Sequence, residues 1–416
     1  MKATGNRDNL QPSTRPESHS RVPALRPEPA ERAWGFPRSR SVFIVAGEVS
    51  GDMAAASLAA EIVRLDPAAA LRGVGGPRMA AAGVTVLLES STWSAIGHVD
   101  PLLQLRTHLR RLRQVEELIR RDAPAVLLLV DFAAFNLRLA ELLRGAFPVV
   151  YYFPPMVSVR RGNRAAKVAR LRMRLLATLQ READAYRAAG ADVEFVGHPA
   201  VDVVRPFMDG AAARRRFGVP ADAPVLGLMP GSRSQEIRAH LPVMLAAART
   251  LLEIRPALWF LLPVPTDALA RLVEAPVTAS GLPVRVVPEI YDAMAASDVL
   301  VAATGTATLE AAVLGVPMVA VYHLPWLSYQ IAKRIASVPY AALPNILARQ
   351  EIVPELLQGR MRSDAIAETV RRLLDDPTRR AAMRAALRQV AAVLGPPGAA
   401  ARAARHIVAE LSRARY

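Results

Sequence analysis

Four short segments combine residue types that bind phosphates and sugars or transfer protons, and each follows a run of apolar residues. They are Gly47-Glu48-Val49-Ser50-Gly51-Asp52, the single carboxylate Asp131, Met229-Pro230-Gly231-Ser232-Arg233-Ser234-Gln235-Glu236, and Ala303-Thr304-Gly305-Thr306-Ala307-Thr308-Leu309-Glu310. An apolar run that ends in small and polar residues is typical of a strand that leads through a loop into a helix. Because ligands bind at such loops in doubly wound sheets, these segments form the candidate site.

The two segments in the first half suggest proton transfer and sugar or anion binding. Asp131 ends the apolar run at 125–130, where partial burial would raise its pKa toward that of a general base. In the segment at 47–52 the glycines permit a tight turn, and Ser50 or Asp52 is expected to cap the following helix. The N-terminus of that helix suits an anion or a sugar. The alternatives are a structural aspartate and an ordinary capped loop.

The two segments in the second half suggest phosphate binding. Backbone N–H groups, Ser232 and Arg233 converge after the run at 225–229, which is plausible for a pyrophosphate cradle. The segment around Gly305 offers hydroxyl and N–H groups, and Glu310, expected in the first helical turn, suits ribose hydroxyls. The lysine-containing pattern of a P-loop occurs nowhere in the chain. A turn with a solvated arginine and a plain capped helix are the alternatives.

Apolar strands alternate with helices along most of the chain. The runs at 125–130 and 149–153 are apolar without interruption, as in parallel sheets covered on both faces. A second alternation of the same kind begins near residue 224. We therefore predict an α/β protein with two Rossmann-like doubly wound domains that face each other across a cleft. One domain would hold a nucleotide-diphosphate donor and the other an acceptor.

The predicted domain boundaries follow changes in composition. Residues 1–39 are rich in Pro, Ser, Arg and Glu without hydrophobic periodicity, which predicts a disordered extension. Residues 40–205 form the predicted first domain and 206–223, rich in Pro and Gly, the linker. Residues 224–394 form the predicted second domain. The predicted helix in 395–416 is long enough to cross back to the first domain.

The composition favours an anionic partner in a reducing compartment. The 416 residues carry a formal net charge of +16 and contain no cysteine. Nucleic acid is disfavoured as the partner, because aromatic residues make up only 5% and do not interleave with basic ones. The absence of cysteine and of an H-E-x-x-H motif argues against a metal site. No apolar stretch is long enough to span a bilayer, and the first 40 residues lack a signal-peptide core. We expect a cytoplasmic protein.

Two basic segments suggest contact with an anionic membrane surface. The helical pattern at 102–121 has an apolar stripe surrounded by arginines, formed by Leu102, Leu105, Leu109, Leu112 and Ile119. Basic amphipathic helices lie on anionic membranes. The alternative is that the stripe faces the core and the arginines are merely solvated. The second basic segment, 160–174, suits a phosphate or lipid headgroups, and a solvated helix face is its alternative.

Six motifs resemble those of the lipid-A-disaccharide synthases, in the order and spacing of that family, from about residue 41 to residue 395. They are Val45-Ala46-Gly47-Glu48-Val49-Ser50-Gly51-Asp52, Gly73-Val74-Gly75-Gly76-Pro77-Arg78-Met79, Phe195-Val196-Gly197-His198-Pro199, Pro230-Gly231-Ser232-Arg233 through Glu236, Gly305-Thr306-Ala307-Thr308-Leu309-Glu310 and Leu343-Pro344-Asn345-Ile346-Leu347-Ala348. Each motif alone is weak, but the full set is highly specific. The resemblance implies a GT-B fold.

The resemblance also implies the reaction and its partners. A metal-independent, inverting glycosyltransferase without a cofactor would transfer 2,3-diacylglucosamine from UDP to the 6-hydroxyl of 2,3-diacylglucosamine 1-phosphate (lipid X). The products would be the β-1,6-linked disaccharide 1-phosphate and UDP. Such an enzyme of Gram-negative lipopolysaccharide synthesis would lie peripherally on the anionic inner membrane. A homodimer is left open.

The resemblance assigns roles to individual residues. Asp131 would be the general base, Arg233 would stabilise UDP, and Asn345 matches an essential asparagine. The residues expected to bind the substrate or donor are Glu48, Ser50, Gly51, Asp52, Gly231, Ser232, Glu236, Thr304, Gly305, Thr306, Ala307 and Glu310. The residues expected to meet the acceptor or the membrane are Arg160, Arg161 and Arg164.

Three departures from the family pattern fall in the first half. Ala134 replaces the second aspartate of D-x-P-D-F-N, and Ser158 and Arg160 replace the two tryptophans of S-V-W-A-W-R. The family's L-P-F-E reads Leu179-Gln180-Arg181-Glu182 here. Two further hypotheses therefore stay open, namely a paralogue with another acceptor and a non-catalytic protein that binds UDP-sugar and membrane. A UDP-GlcNAc 2-epimerase-like enzyme is a further rival on the same fold.

Overall fold

Two all-parallel sheets organise the part of the chain that the structure describes. The structure is a computed structural model. It describes residues 40–90, 93, 101–158, 163–324, 329–330, 334 and 338–413, without the side chains of residues 48–49 and 101–105. Both sheets belong to the compact unit Pro37–Tyr416. The predicted extension at 1–39 lies outside the described residues.

Seven strands form the first sheet. They are β1 (Ser41–Ala46), β2 (Ala70–Gly75), β3 (Thr85–Glu89), β4 (Val126–Val130), β5 (Val149–Tyr152), β6 (Arg174–Ala177) and β7 (Asp192–Phe195). The strand order is β3-β2-β1-β4-β5-β6-β7, and every pairing is parallel. Ile44 of β1 lies opposite Gly73 of β2 on one side and Leu128 of β4 on the other. The chain thus starts at the centre of the sheet and winds outward in both directions.

The second sheet repeats this order with six strands. They are β8 (Val225–Met229), β9 (Trp259–Pro263), β10 (Val284–Val287), β11 (Val299–Ala303), β12 (Met318–Tyr322) and β13 (Glu355–Leu357). Their order is β10-β9-β8-β11-β12-β13, again with parallel pairings only. Two sheets with the strand order of dinucleotide-binding folds confirm the predicted pair of doubly wound α/β halves.

Helices connect successive strands and cover the sheets. They are α1 (Glu48–Leu65), α2 (Pro77–Ala81), α3 (Pro101–Asp122), α4 (Ala133–Leu142), α5 (Arg164–Ala169), α6 (Gln180–Ala188), α7 (Ala200–Val203), α8 (Gly210–Arg216), α9 (Ser234–Ile254), α10 (Asp267–Ser280), α11 (Ile290–Ala296), α12 (Thr306–Leu314), α13 (Leu343–Ala348), α14 (Ser363–Asp375), α15 (Pro377–Ala392) and α16 (Ala399–Arg413). Within the described residues, every helix is too short or too polar to span a lipid bilayer.

The central strands are buried on both faces, as their uninterrupted apolar sequences predict. In β4, Leu128 packs into the core on one face of the sheet, and Leu127 and Leu129 pack into the core on the other. The strands β3, β6 and β7 do not have the uninterrupted apolar sequences of the central strands. These strands are short, lie toward the margins of the first sheet, and include charged residues such as Glu89, Arg174 and Asp192. Marginal strands need less apolar surface, so their sequences carry a weaker signal.

The connection between the two halves contains structure of its own. Helix α8 lies within the predicted linker at 206–223, where Ala213 and Phe217 are buried against Leu261 and Val287 of the second sheet. The segment therefore packs onto the second sheet instead of forming an extended connector. The domain boundaries themselves stay predictions.

The last helix packs on the first sheet. Ala404, Ile407 and Leu411 of α16 are buried in the same core as Leu58 and Ile62 of α1. The carboxylate of Asp202, which follows the first half, accepts hydrogen bonds from the N–H groups of Gly398 and Ala400 and so caps this helix. The chain returns to its first half after it has completed the second sheet.

The apolar stripe of α3 faces the core along most of its described length. Leu112 and Ile119 are 2% and 0% exposed, together with Val115 between them. A membrane-facing role for Leu112 and Ile119 is therefore wrong, because these side chains fill the core above the first sheet. Leu109 is 43% exposed. The side chains of Leu102 and Leu105 lie outside the described part.

Candidate active site

The four candidate segments follow the four strands at which the order of each sheet reverses. Gly47 follows β1 and Asp131 follows β4, which are neighbours in the first sheet. Pro230 follows β8 and Thr304 follows β11, which are neighbours in the second. Ligands of open α/β sheets bind outside the carboxyl ends of strands at these reversal points. The fold therefore brings the candidate segments together in two pairs.

The segment after β1 is helix, not loop. Helix α1 begins at Glu48 with Gly47 as its N-cap residue, so neither Ser50 nor Asp52 caps it. A Cβ atom on Gly47 would lie 2.4 Å from the ring of Phe132, so only glycine allows the helix to begin this close to β4. Gly51 packs against the end of the same strand. The backbone of Glu48 lies in this first turn.

Asp52 caps a different helix. Its carboxylate is 3% exposed and accepts hydrogen bonds from the N–H groups of Gly76 (2.9 Å), Arg78 (3.1 Å) and Met79 (3.0 Å) at the start of α2. Both oxygens are engaged, which argues against contact between Asp52 and a substrate. The conformation of α2 at the edge of the site depends on this carboxylate.

Asp131 has an uncommon backbone conformation. Its φ is +48° and that of Phe132 is +50°, a region that costs non-glycine residues about 1–2 kcal/mol each. Strain of this kind persists where surrounding contacts fix it, and it concentrates at functional sites. Ser50 Oγ donates to Asp131 Oδ2 at 3.5 Å, which joins the two segments of the first pair.

Two buried side chains fix this backbone. Asn136 is 0% exposed, and its Nδ2 donates to the carbonyls of Val130 (3.2 Å) and Asp131 (2.8 Å). The hydroxyl of Tyr151 donates to the Asp131 carbonyl at 2.8 Å. Neither Asn136 nor Tyr151 is among the site residues predicted from the sequence. Asn136 could have been found from the sequence, because it matches the last residue of the D-x-P-D-F-N pattern that begins at Asp131.

The loop after β8 is hydrogen-bonded to the carboxylate of Glu236, the last residue of the predicted segment. Glu236 accepts hydrogen bonds from the N–H groups of Ser232 (3.1 Å) and Arg233 (3.3 Å) and from the Arg233 guanidinium (3.0 Å). Gly231 has φ +123° and packs against the Glu236 side chain. The helix begins at Ser234, inside the predicted segment. The backbone N–H groups that were expected to bind a pyrophosphate thus donate hydrogen bonds to a carboxylate of the protein itself.

His240 joins this loop to the end of β12. The imidazole is 0% exposed, with Nδ1 2.7 Å from the Pro230 carbonyl and Nε2 accepting from the His323 N–H at 3.1 Å. Burial is the main cause that lowers the pKa of His240. A neutral imidazole with its proton on Nδ1 satisfies both contacts. His240 lies one helical turn after Glu236. It is not among the site residues predicted from the sequence.

The N-terminus of α12 has no side-chain cap. Gly305 is its N-cap residue, with φ +139°, and it supplies no side-chain acceptor. Thr306 is exposed, Thr304 and Ala307 are half-buried, and Thr308 Oγ1 donates back to the Gly305 carbonyl at 2.8 Å. Uncapped N–H groups and the positive end of the helix dipole suit an anion.

One cavity unites residues from both halves. Its lining includes Ser50 from α1, Phe153 after β5, His198 from the connection, and Thr306 and Glu310 from α12. The cavity volume is about 40 Å³, which holds a few water molecules. Burial lowers the pKa of His198 to about 4, so that this imidazole is neutral at pH 7.

Glu310 is a titratable group of this cavity. It lies in the second turn of α12, not in the first turn as predicted, and therefore points along the cavity wall. Burial raises the pKa of Glu310 to about 7, and the Arg78 guanidinium partly opposes this shift. Burial, with a smaller contribution from Glu310, also raises the pKa of Tyr291. Arg78 belongs to the first half, so charges from both halves meet here.

Comparison with known proteins identifies the family. The family model described as lipid-A-disaccharide synthetase matches residues 42–403. The lipid-A-disaccharide synthase of Geobacter sulfurreducens is 38% identical over 377 residues, which cover 90% of this chain and 98% of that protein. The chain belongs to the lipid-A-disaccharide synthase family. The resemblance seen in the six motifs is thereby confirmed, and the protein is a glycosyltransferase of lipid A biosynthesis.

Solved structures with low sequence identity share the fold. The UDP-GlcNAc 2-epimerase from Neisseria meningitidis, solved bound to UDP-GlcNAc, is 12% identical, with a TM-score of 0.60 over 90% of this chain and all of that one. The calicheamicin glycosyltransferase CalG4 is 19% identical, with a TM-score of 0.54 over 90% of this chain and 98% of that one. The GT-B fold of the family is confirmed by this likeness.

Asn345, which the resemblance matches to an essential asparagine, is buried in the second half. It is 0% exposed, and its Nδ2 donates to the Val353 carbonyl and to Glu355 Oε1, both at 2.8 Å. Its Oδ1 accepts from the N–H groups of Ile352 (2.8 Å) and Val353 (3.0 Å). These bonds occupy its donors and its acceptor, which argues against contact with substrate. Asn345 holds the segment between α13 and β13.

Of the three arginines expected at the acceptor or the membrane, only Arg164 is described. It begins α5 and is half-buried. It opposes the rise in pKa that burial causes in Tyr151 and Tyr186, so its charge lies near both hydroxyls. Arg160 and Arg161 lie outside the described residues.

Stability should depend on the ionisation of Glu310. Its folded pKa of about 7 exceeds the ~4.3 of an unfolded glutamate, so the folded state binds more protons between these values. The stability linked to this proton is complete below pH ~4.3 and is lost as the pH rises through 7. The Glu310→Gln variant, neutral at every pH, should be more stable than the wild type at pH 8 by up to about 3 kcal/mol.

Urea denaturation at pH 5 and pH 8 measures this difference. At pH 5 the gain of Glu310→Gln should fall to about 1 kcal/mol, because the folded carboxyl is protonated there while the unfolded one is mostly ionised. The exposed Glu117→Gln substitution on α3 removes the same charge outside the cavity and should show no gain at pH 8. Equal gains in the two variants would mean that net charge, not the cavity, is responsible.

Proposed function

We propose that the protein transfers 2,3-diacylglucosamine from UDP to the 6-hydroxyl of lipid X, giving the β-1,6-linked disaccharide 1-phosphate and UDP. The main support for this proposal is one cavity. It is lined by Ser50, whose hydroxyl donates a hydrogen bond to Asp131, and by Thr306 and Glu310 of α12, a helix without a side-chain N-cap. The partner of the proposed base and the proposed anion site thus line one cavity from opposite halves. Family membership supports the same chemistry.

Asp131 is the proposed general base. It would take the proton of the acceptor hydroxyl, whose oxygen then attacks the anomeric carbon while the bond to UDP breaks on the opposite side. One such displacement inverts the anomeric configuration. The backbone bonds from Asn136 and Tyr151 support this role, because they fix the position from which the carboxylate acts.

The second half is the proposed donor site. The negative charge that develops on the leaving UDP would be stabilised by the N-terminus of α12, with Gly305, Thr306 and Ala307, and by Arg233. Glu310 would accept ribose hydroxyls. Ser232, Gly231 and Thr304 shape the two loops, and Glu236 is proposed to orient Arg233 through their 3.0 Å contact. A donor is larger than the present cavity, so binding must widen it.

The first half is the proposed acceptor site. We assign residues 40–205 to the acceptor and 224–394 to the donor, with Ser50, Gly51 and the backbone of Glu48 beside the base. Arg160, Arg161 and Arg164 would meet the phosphate of lipid X or the anionic inner-membrane surface, on which the protein would lie peripherally.

A paralogue with another acceptor is the second candidate. Ala134 is exposed in the first turn of α4, so the acidic side chain of the family pattern is missing from the surface beside Asp131. The donor half keeps its motifs. The three larger changes fall in the acceptor half, which favours a changed acceptor over a changed donor.

The test is UDP release from UDP-2,3-diacylglucosamine in detergent micelles, with and without lipid X. Release that requires lipid X and is unchanged in EDTA is the expected result, because no proposed step uses a metal. Release without any acceptor would point to hydrolysis or an epimerase-like reaction. Tight UDP binding without turnover on lipid X would favour the second candidate.

A further inference from the structure

We propose that Ser158 and Glu182 are positioning residues that determine acceptor specificity, because they anchor residues 153–158, which follow β5 next to Asp131. The inference rests on the proposed function in one respect, the placement of the acceptor in the first half. It concerns residues 153–158, which follow β5, the strand adjacent to the one that Asp131 follows.

The carboxylate of Glu182 is the anchor. It is 4% exposed and lies in the first turn of α6. It accepts hydrogen bonds from the N–H groups of Val157 (2.6 Å) and Ser158 (3.2 Å) and from the Ser158 hydroxyl. The N-terminus of a helix stabilises a carboxylate, and three donors compensate its burial. The backbone at residues 157 and 158 is therefore held by a charged group.

A second anchor lies one helical turn further along α6. The hydroxyl of Tyr186 donates to the Pro155 carbonyl at 2.7 Å, and Tyr186 is itself 0% exposed. Residues four apart lie on the same face of a helix, so Glu182 and Tyr186 hold the loop at two points. The loop can change its path only if both contacts break.

The same loop is bound to the proposed base at its other end. The Asp131 N–H donates to the Tyr152 carbonyl at 3.1 Å, and the Tyr151 hydroxyl donates to the Asp131 carbonyl at 2.8 Å. Phe153, the next residue, lines the cavity with Ser50. The segment therefore runs from the backbone of the base to Ser158 with fixed contacts at both ends, and its first residue, Phe153, lines the cavity beside Ser50, where the proposed acceptor site lies.

Ser158 makes this arrangement particular to the chain. It stands where the motif S-V-W-A-W-R has its first tryptophan, and its hydroxyl turns inward to Glu182. A large aromatic side chain is thus replaced by a small one, whose hydroxyl donates a hydrogen bond to Glu182. Because an acceptor is discriminated by the shape and contacts of such a wall, we infer that Ser158 sets which acceptor fits.

The test compares Ser158→Ala with Ser158→Thr. Alanine removes one donor to Glu182 but leaves both backbone donors, so the protein should fold. We expect kcat/KM for lipid X to fall about tenfold in Ser158→Ala, chiefly through KM, and to recover in Ser158→Thr, which restores the hydroxyl. The dissociation constant for UDP should be unchanged. Glu182→Gln, which removes the charge, should have a larger effect in the same direction.

Amide hydrogen exchange gives a readout that does not depend on activity. The amides of residues 157 and 158 should exchange faster in Ser158→Ala and Glu182→Gln than in the wild type. Gln180→Ala is the matched control, since Gln180 is exposed on the same helix and bonds only Asp184 in the hydrogen bonds observed for it. It should change neither exchange nor KM.

The outcomes separate this inference from the proposed function. Equal losses of UDP and lipid X affinity in Ser158→Ala, or no change in either, would overturn the positioning role. A wild type that binds lipid X without releasing UDP would overturn the proposed reaction, while the exchange and lipid X binding data would still decide the role of Ser158. A wild type that binds UDP but not lipid X would overturn both.

Discussion

The Asp131→Asn substitution should lower acceptor-dependent UDP release by about 10³-fold, with little loss of stability. A positioned general base contributes roughly 10²–10⁴-fold to a reaction of this kind, and asparagine has the same shape but cannot accept the proton. The contacts that fix residue 131 use its backbone, through Asn136, Tyr151 and Tyr152. The substitution therefore removes the base and leaves the loop in place.

Steady-state kinetics with lipid X, together with the dissociation constant for UDP, measure this effect. The UDP affinity should be that of the wild type, because the proposed donor site lies in the second half. Ser50→Ala, which removes the 3.5 Å contact with the carboxylate but leaves the base itself, should cause a smaller loss than Asp131→Asn. A loss of about tenfold or less in Asp131→Asn would exclude Asp131 as the base.

The Asn345→Ala substitution should instead cost roughly 3–5 kcal/mol in the free energy of unfolding. The amide of Asn345 satisfies the N–H groups of Ile352 and Val353, the Val353 carbonyl and one oxygen of Glu355. Alanine would leave these groups buried with fewer partners, and a buried carboxylate that loses a donor is especially costly.

Urea denaturation of Asn345→Ala, with the exposed Gln350→Ala as control, measures this cost. Activity should be lost in parallel with folding, and the fraction that remains folded should retain near-normal turnover. A variant as stable as the wild type but inactive would restore the direct catalytic role that the family pattern implies for Asn345. The two substitutions thus separate a residue that acts on the substrate from one that holds a loop.

The candidate site shows what polarity and apolar patterning predict well. Uninterrupted apolar runs identify β4, β8 and β11, because strands buried on both faces tolerate few polar residues. Polar and small residues directly after such runs identify the segments at Asp131 and Gly305. Parallel topology then places the segments together, since carboxyl ends of parallel strands share one edge of the sheet.

The same reasoning cannot assign the partners of polar side chains. Asp52, Glu236 and Asn345 have the residue types of a site, yet each makes hydrogen bonds with the protein's own backbone. Asp52 and Gly76 are 24 positions apart, and His240 and His323 are 83 apart. Contacts across such separations depend on how strands and helices pack, which local sequence does not encode.

The sequence by itself determined the family, the two doubly wound halves and the strands after which the site lies, because burial and motif spacing are local properties. Only the tertiary structure decided that the N-terminus of α12 lines the same cavity as Ser50, which carboxylates are already bonded, and that Glu182 anchors the backbone at Ser158. These features depend on hydrogen bonds between distant segments. Packing of the two sheets and their helices brings those segments within reach of one another.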